Sequence, residues 1–521
     1  MIWYQMQAGR SIRRFYELGS LIPSNSFPTT TRRTFSSNRA DLRMPALDLQ
    51  NVNPHFKKVE YAVRGELAIK AETYKEQLKT EAGRKELKFN RVVNSNIGNP
   101  QQKGLDQKPL TFGRQVAALL EYPALMESGG NIFPSDAIAR AKELYDEIGS
   151  IGAYSHSQGV PFIRKHVAEF IQKRDGHPSN PNHIFLTAGA SAGVDLILDM
   201  LITSPKSGIL IPIPQYPLYT ACLARHDAVP VPYYLDESKG WSTDPSEVER
   251  AINQAHKDGV EVKALVVINP GNPTGGILDA DVSTELVKLC EKHGLVLLAD
   301  EVYQDNVHDR NKYKFTSFKK LARDLDSPVR LVSFHSISKG VTGECGRRGG
   351  YFECTNVSDE IIALIYKMVS VSLCPPLGGQ VGVDCLVRPP KEGEPSYELW
   401  KQETSAIHDA LASRTKIMTE RLNSLPGMSC APAMGALYLY PKIELLPKQI
   451  EAAKKMGKAP DMLYSLELLD ETGICAVPGS GFGQKEGEGH FRLTCLCAGV
   501  EEYIEKLEVF QKSFYKRYGP E

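Results

Sequence analysis

The sequence predicts an α/β protein, with a large domain built on a mostly parallel sheet and a smaller α+β domain after it. Two observations lead to this prediction. Apolar runs of strand length alternate with helical runs through the middle of the chain, and after residue 425 the runs become shorter. Alternation of this kind is typical of a parallel sheet covered by helices on both faces. Apolar residues make up 42% and charged residues 24% of the 521 residues, which is the balance of a globular protein.

The predicted elements follow from local patterns, in chain order. Residues 44–90 are polar and charged and predict a helix with one solvated face. The strands of the large sheet are predicted at HIFLTAG, SGILIPI, VKALVVINP, LVLLADEVY and RLVSFHSIS. The helices AGVDLILDMLITS and DADVSTELVKLCEKHG follow the first and the third of these strands.

A long helix is predicted at 396–425, where an apolar stripe recurs on one face until Pro426 and Gly427 end the pattern. The stripe consists of Trp400, Ile407, Leu411, Met418 and Leu422. The short strands GALYLYPKI, GICAVPG and HFRLTCL come after it. The predicted organisation is a presequence (1–43), an N-terminal arm with a small-domain segment (44–111), a large cofactor-binding domain (112–377) and a small C-terminal domain (378–521).

The first 43 residues have the composition of a mitochondrial presequence. They contain seven arginines and no lysine, and only Glu17 and Asp41 are acidic. The run RSIRRFYELGSLI can form an Arg-rich amphipathic helix, and a Ser/Thr-rich run follows it. This pattern predicts the mitochondrial matrix as the location, and a start at Met44 would supply a cytosolic form. The alternative is an N-terminal tail without a targeting role.

Several classes of partner find no support in the composition. The formal net charge is zero, so nothing favours a nucleic-acid partner. The two longest uncharged runs, 422–441 and 207–224, contain prolines and do not predict a membrane helix. The ten cysteines form no CxxC motif or Cys/His cluster, which indicates reduced intracellular thiols and no metal site.

A polar or aromatic group follows each predicted strand. In chain order these groups are AGAS (188–191), Tyr216, NPGNPTG (269–275), Asp300 with Tyr303, and HSISK, which ends at Lys339. Ligands of open α/β sheets bind at the carboxyl ends of the strands. We therefore expect these groups to meet at one edge of the sheet.

Each of these motifs taken alone has a plain structural explanation, as a helix cap, a turn or an ion-pair partner. Taken together they suit pyridoxal phosphate. A helix start can hold a phosphate, and an aromatic ring can stack on the pyridine ring. Asp300 can pair with a protonated ring nitrogen, and Lys339 can form a covalent bond with the cofactor aldehyde.

NPGNPTG, DEVY, SISK and RGGY resemble the class I aminotransferases of the type I pyridoxal-phosphate fold. LIPIPQYPLY, LLADEVYQDNV, GECG, ETGICAVPGSGFGQ and HFRLT are most similar to the alanine aminotransferases among them. The resemblance runs from about Asn53 to near the C-terminus. It implies the type I fold, pyridoxal 5'-phosphate as cofactor, and conversion of L-alanine and 2-oxoglutarate into pyruvate and L-glutamate by a ping-pong mechanism.

The resemblance also assigns roles to residues of this sequence. It makes Lys339 the Schiff-base lysine and general base, and Asp300 the partner of the ring nitrogen. For the cofactor ring it implies that Tyr303 and Asn272 contact the phenolic oxygen and that Tyr216 stacks on the ring. For the phosphate it implies Ala190, Ser191, Ser336 and Arg348, with Tyr154 reaching the phosphate of the neighbouring subunit. For the substrate it implies that Arg492 binds the α-carboxylate and that Gly98 and Asn272 lie beside it. Because Tyr154 would act across a subunit boundary, a homodimer with shared active sites is expected.

The chain departs from the family pattern in two places, at Arg347 and in GVTGECG, and both flank the expected phosphate site. Other reactions stay open at this point. The fold also serves aminotransferases for aromatic or kynurenine-type donors and carbon–sulfur lyases. A regulator that kept the fold is a further alternative, although no basic helix-turn-helix segment is visible.

Overall fold

A computed structural model describes residues 52–520, and its largest element is a seven-stranded mixed sheet. The strands are β1 (Val93–Asn94), β2 (Ile184–Thr187), β3 (Ser207–Ile213), β4 (Val229–Tyr234), β5 (Glu261–Ile268), β6 (Val296–Asp300), β7 (Leu331–Ser336), β8 (Gly350–Thr355), β9 (Met428–Ser429), β10 (Tyr438–Leu439), β11 (Lys442–Ile443), β12 (Ile474–Cys475), β13 (Val477–Pro478) and β14 (Gly489–Thr494). The order in the large sheet is β2-β8-β7-β6-β5-β3-β4, and β8 alone runs against its neighbours.

Eighteen α-helices surround these strands within the described residues. They are α1 (Pro54–Lys57), α2 (Glu66–Gln77), α3 (Glu81–Glu86), α4 (Thr111–Glu121), α5 (Leu125–Ser128), α6 (Ser135–Ile148), α7 (Pro161–Asp175), α8 (Ala190–Leu201), α9 (Leu218–Arg225), α10 (Pro245–Lys257), α11 (Ala280–His293), α12 (Phe318–Asp324), α13 (Asp359–Val371), α14 (Leu377–Val387), α15 (Tyr397–Leu422), α16 (Pro447–Lys455), α17 (Pro460–Thr472) and α18 (Val500–Tyr518). None of them combines the length and apolarity needed to cross a membrane.

The mostly parallel sheet predicted from the sequence is confirmed. All five predicted strands are present, as β2, β3, β5, β6 and β7. Two further strands, β4 and β8, were not predicted. The β4 run contains Pro230 and Pro232, which lack the amide hydrogen that an inner strand needs. The strand is accommodated because β4 lies at the edge of the sheet and pairs only with β3.

Helices cover both faces of the large sheet, as expected for parallel strands. On one face Ile252 of α10, Leu286 of α11 and Phe318 of α12 are fully buried against the strands. On the other face Leu198 of α8 and Tyr219 of α9 are fully buried. Each such side chain contributes about 1.5–3 kcal/mol on burial, so the two apolar layers hold the strand ends in a fixed register.

The single helix predicted for residues 44–90 is wrong, because the described part of this range contains three separate helices, α1, α2 and α3. After α2 the chain turns, and the hydroxyl of Thr80 accepts a hydrogen bond of 3.0 Å from the amide of Gly83 to cap α3. A Cβ at Gly83 would collide with the carbonyl of Gln77, so the tight turn depends on this glycine. The polar and charged residues continue without interruption from α2 into α3, so the pattern of charges does not show that the Thr80 cap starts a new helix.

A smaller α+β region follows the large sheet. β10, β14, β11 and β9 form an antiparallel sheet with β13 paired to β14, and β1 pairs in parallel with β12. The long predicted helix is present as α15, and Met418 and Leu422 on its stripe are buried. The domain boundaries at residues 111 and 377 stay predictions. The predicted presequence and Met44 lie outside the described residues.

Candidate functional site

A cavity of about 420 Å³ lies at the carboxyl edge of the large sheet. Its walls contain every site residue predicted from the sequence except Tyr154. These residues are Gly98, Ala190, Ser191, Tyr216, Asn272, Asp300, Tyr303, Ser336, Lys339, Arg348 and Arg492. The cavity therefore brings together side chains that are separated by almost 400 positions in the sequence.

The register of the central strands explains why these groups meet. Ile268 of β5 pairs with Asp300 of β6, and Asp300 pairs with Phe334 of β7. The three strands thus end at nearly the same height. The chain leaves β5 into the loop of Asn272, and it leaves β7 into the loop of Lys339, on the same side of the sheet.

The carboxyl group of Asp300 is buried at the base of the cavity. Its Oδ2 accepts a hydrogen bond of 2.9 Å from the hydroxyl of Tyr219, and its Oδ1 accepts a longer one of 3.4 Å from the amide of Val302. Burial raises the pKa of Asp300 to about 6, although these two donors and the nearby Lys339 lower it. The group thus has hydrogen-bond donors but no cation bonded to it within the described residues.

An anion cradle forms where β2 passes into α8. Gly189 precedes the helix with φ 84°, a left-handed conformation, and no side chain caps the first turn. The amides of Ala190 and Ser191 begin the helix beside the guanidinium of Arg348, which donates to the carbonyls of Ala188 at 2.8 Å and Cys345 at 3.0 Å. Free amides, a helix dipole and a guanidinium at one place match a phosphate group.

Lys339 and Tyr438 meet over Gly98. The amine of Lys339 donates to the carbonyl of Gly98, and a Cβ at Gly98 would collide with the Tyr438 hydroxyl. Only a glycine allows both side chains this close approach. The hydroxyl of Tyr438 also lies 3.0 Å from the hydroxyl of Tyr303. Burial raises the pKa of Tyr438, but the cations Lys339 and Arg492 more than offset it, so that pKa ends below its ordinary value.

Arg492 is held from several sides in the middle of β14. Its Nη1 donates to Oδ1 of Asn272 at 2.9 Å, its Nη2 donates to the carbonyl of Asn96, and its guanidinium lies 4.2 Å from the centre of the Tyr438 ring. The side chain is 1% exposed, yet its Nε has no hydrogen-bond partner in the described residues. A rigid guanidinium with a free donor beside a cavity is suited to a carboxylate.

Tyr154 lies apart from this cavity. Its side chain is 79% exposed, and the next residue, Ser155, donates its amide to the thiol of Cys374 at 3.4 Å. Of the two departures from the family pattern, Arg347 forms an ion pair of 3.2 Å with Glu344, while Cys345 of GECG lines the cavity. The thiol of Cys345 donates to the carbonyl of Ser338 at 2.9 Å.

Sequence reasoning assigned no role to several other residues that line or support the cavity, among them Tyr61, Arg64, Tyr219, Cys345 and Tyr438. Tyr219 and Tyr438 lie inside motifs that were identified, PQYPLY and GALYLYPKI, but their roles depend on contacts with Asp300 and Tyr303. Tyr61 and Arg64 lie in an N-terminal segment that carries no recognisable motif, so no sequence signal placed them here.

The donor set fits pyridoxal phosphate. The helix start of α8 with Ser336 and Arg348 would hold its phosphate, and Tyr216 would lie against its ring. Asp300 would pair with the ring nitrogen, and Tyr303 with Asn272 would contact the phenolic oxygen. The buried carboxyl without a bonded cation is the observation that favours this fit, because a protonated ring nitrogen supplies the missing charge. Within residues 52–520 no cluster of His, Cys, Asp and Glu is arranged to hold a metal ion.

Comparisons with known proteins agree with this geometry. Residues 125–508 match the family model described as aminotransferase class I and II. The chain is 47% identical over 524 residues to a mitochondrial alanine aminotransferase of Saccharomyces cerevisiae, covering 98% of this chain and 87% of the relative. It is 45% identical to glutamate–glyoxylate aminotransferase 1 of Arabidopsis thaliana, covering 92% of this chain and 98% of the relative.

Among solved structures, an alanine aminotransferase from Pyrococcus furiosus superposes with a TM-score of 0.67 at 24% identity. The match covers 89% of this chain and 100% of that one. At this identity the likeness concerns the fold, and it extends over both the large sheet and the smaller α+β region.

Replacing Asp300 with asparagine is expected to stabilise the cofactor-free protein at neutral pH. The pKa of about 6 in the folded state lies above that of an exposed aspartate, so ionising this carboxyl costs free energy that unfolding recovers. The gain in the free energy of unfolding should be on the order of 3 kcal/mol above pH 6 and should vanish below about pH 4. Urea unfolding of Asp300→Asn and wild type from pH 4 to 8 measures it.

Asp359→Asn is the matched control, because the Asp359 side chain is 93% exposed. It should change the stability by less than about 0.5 kcal/mol. A gain for Asp300→Asn that does not vary with pH would contradict the raised pKa.

Proposed function

The chain belongs to the class I and II aminotransferase family, and from that premise we propose that it is an alanine aminotransferase, which converts L-alanine and 2-oxoglutarate into pyruvate and L-glutamate. The observation that carries the proposal is the joint position of Lys339, Asp300 and Arg492 in one cavity of a chain 47% identical to a mitochondrial alanine aminotransferase. The cofactor of this family, pyridoxal phosphate, supplies an electron sink for the charge released at the substrate α-carbon.

The side chains of the cavity divide the work. Arg492 binds the α-carboxylate that every amino-acid and keto-acid substrate presents, and its contacts with Asn272 and the Asn96 carbonyl fix its orientation. Asp300 would keep the ring nitrogen of the cofactor protonated, and the hydrogen bond from Tyr219 holds its carboxyl group in place. The amine of Lys339 would hold the cofactor and would act as the general base for the proton at the substrate α-carbon.

Other reactions of the same fold differ in what they require. An aminotransferase for aromatic donors would use the same side chains of the cavity on a different amino-acid substrate. A carbon–sulfur lyase would release its product without a keto-acid acceptor. The proposal of alanine rests on the high identity to named alanine aminotransferases over nearly the whole chain.

Pyruvate formation from L-alanine is the direct test. The loaded enzyme should form pyruvate continuously only when 2-oxoglutarate is present, because each turnover needs an acceptor for the amino group. Lys339→Ala should lower kcat by more than 1000-fold, since the covalent attachment and the base are lost together. The visible absorbance of the bound cofactor should change with it.

Lys312→Ala is the matched control, since Lys312 is an exposed lysine outside the cavity. It should keep wild-type kcat. Continuous formation of pyruvate and sulfide from L-cysteine without an acceptor, with no reaction of L-alanine, would favour the lyase, and near-normal turnover of Lys339→Ala would remove the role of the lysine.

A homodimer with shared active sites is part of the proposal. Helix α13 exposes Ile361, Leu364, Met368 and Val371 along one face, to 43%, 45%, 37% and 78% respectively. A continuous apolar stripe of this kind marks an association surface. Tyr154 is also exposed and lies outside its own cavity, which agrees with a role at the phosphate of a neighbouring subunit.

Charges on the α13 stripe should therefore separate the subunits. The wild type is expected to sediment at twice the mass of one chain, and the double variant Leu364→Glu/Val371→Glu at the mass of a single chain with weaker cofactor binding. Val509→Glu is the matched control, because Val509 is 71% exposed on α18 away from this stripe. A monomeric wild type, or an unchanged mass for the double variant, would overturn the dimer.

We place the enzyme in the mitochondrial matrix, since two relatives that are 47% identical to it are named as mitochondrial and residues 1–43 are rich in arginine. A fluorescent protein fused behind residues 1–43 should be imported into mitochondria, and the tagged chain lacking these residues should stay in the cytosol. Equal mitochondrial signal from the full and the truncated chain would contradict this location.

A further inference from the structure

The segment 61–64, which precedes α2, forms part of the cavity wall. The hydroxyl of Tyr61 lies 2.6 Å from the hydroxyl of Tyr216, and the carbonyl of Val63 accepts a hydrogen bond of 3.5 Å from the side chain of Asn96. The carbonyl of Asn96 is in turn the acceptor of Arg492. The backbone next to Arg64 is therefore tied both to the ring-stacking tyrosine and to the arginine of the α-carboxylate.

Four cationic side chains line the cavity, and three of them already have bonded partners. Lys339 donates to Gly98, Arg348 donates to the carbonyls of Ala188 and Cys345, and Arg492 donates to Asn272 and Asn96. The fourth is Arg64. Its guanidinium forms no hydrogen bond or ion pair with any residue in 52–520, and the residue is exposed.

One of the four cations that line the cavity has no anionic partner assigned to it. Asp300 is the single carboxylate among the lining residues. In the proposed mechanism it pairs with the ring nitrogen, Arg348 with the phosphate and Arg492 with the α-carboxylate. Glutamate and 2-oxoglutarate bring a second carboxylate that alanine and pyruvate lack. Arg64 is the cation of the cavity wall that binds neither the phosphate nor the α-carboxylate.

We propose that Arg64 binds the distal carboxylate of the dicarboxylic substrates and thereby determines the acceptor specificity of the enzyme. The planar guanidinium can take a carboxylate through two parallel hydrogen bonds. This inference rests on the proposed alanine–glutamate exchange. It also explains how one cavity accepts substrates with such different side chains.

Exposure is what makes the dual use possible. A buried arginine would be left without a compensating anion, at a high desolvation cost, whenever alanine occupied the site. Arg64 reaches the cavity from an exposed position, so water solvates it while alanine is bound. When glutamate is bound, the same side chain exchanges water for a carboxylate. The methyl group of alanine therefore incurs no penalty from the cation that the dicarboxylic substrate needs.

The test measures the two half-reactions separately on the loaded enzyme, from the absorbance change of the cofactor with L-alanine or L-glutamate as the single donor. Arg64→Met keeps a side chain of similar length and removes the charge. It should lower kcat/KM for glutamate by roughly 10- to 100-fold, the scale of a lost charge-assisted contact, and kcat/KM for alanine by less than about threefold. Arg64→Lys should give an intermediate loss with glutamate, because it keeps the charge without the planar fork.

Two further variants separate this role from others. Arg492→Lys should lower kcat/KM for both donors, since both present an α-carboxylate. Arg84→Met, at an exposed arginine on α3 outside the cavity, should alter neither. Cofactor absorbance and a thermal melt verify that each variant is folded and loaded.

Equal losses with alanine and glutamate in Arg64→Met, or no loss with glutamate, would overturn the role of Arg64. A wild-type enzyme that reacts with glutamate but not with alanine would instead overturn the proposed function. In that case 2-aminobutyrate replaces alanine as the monocarboxylic donor, and the same selective loss with glutamate supports Arg64 while an equal loss rejects it.

Discussion

The carboxyl group of Asp300 is buried at the end of β6, where a tyrosine hydroxyl and a backbone amide are its hydrogen-bond donors. Such a group is costly unless a cation stands next to it, and its raised pKa expresses that cost. The cavity above it is arranged accordingly. A protonated ring nitrogen of the cofactor would satisfy the charge of this carboxylate, and the anion cradle at α8 would hold the phosphate at the other end of the same molecule.

Packing around Gly98 controls the substrate side of the cavity. The absence of a side chain there lets the Lys339 amine and the Tyr438 hydroxyl share one small volume. Tyr438 also contacts Tyr303 and lies under the guanidinium of Arg492. The phenol of Tyr438 thus connects Lys339, Tyr303 and Arg492. Because interiors are close-packed, a larger residue at position 98 would displace all three.

Two arginines solve two different recognition problems. Arg492 is 1% exposed and held by neighbouring groups, which suits a carboxylate that is present in every substrate. Arg64 is exposed and unbonded in the described residues, which suits a carboxylate that is present in half of them. The desolvation cost of a charge decides which arrangement each task permits. A rigid buried arginine orients the carboxylate that it binds, and a solvated arginine allows substrates with or without a second carboxylate to bind.

The sequence by itself determined the parallel sheet, the cofactor and the strand-end residues, because apolar runs and the motifs after them are local in the chain. It did not determine β4, whose prolines are compatible with an edge strand only, or the break between α2 and α3, which a threonine cap creates. Tertiary structure alone brought Tyr61 and Arg64 to the cavity and Tyr219 to Asp300. Those contacts join segments more than 80 residues apart, and they arise from how the helices and sheets pack, which no local pattern encodes.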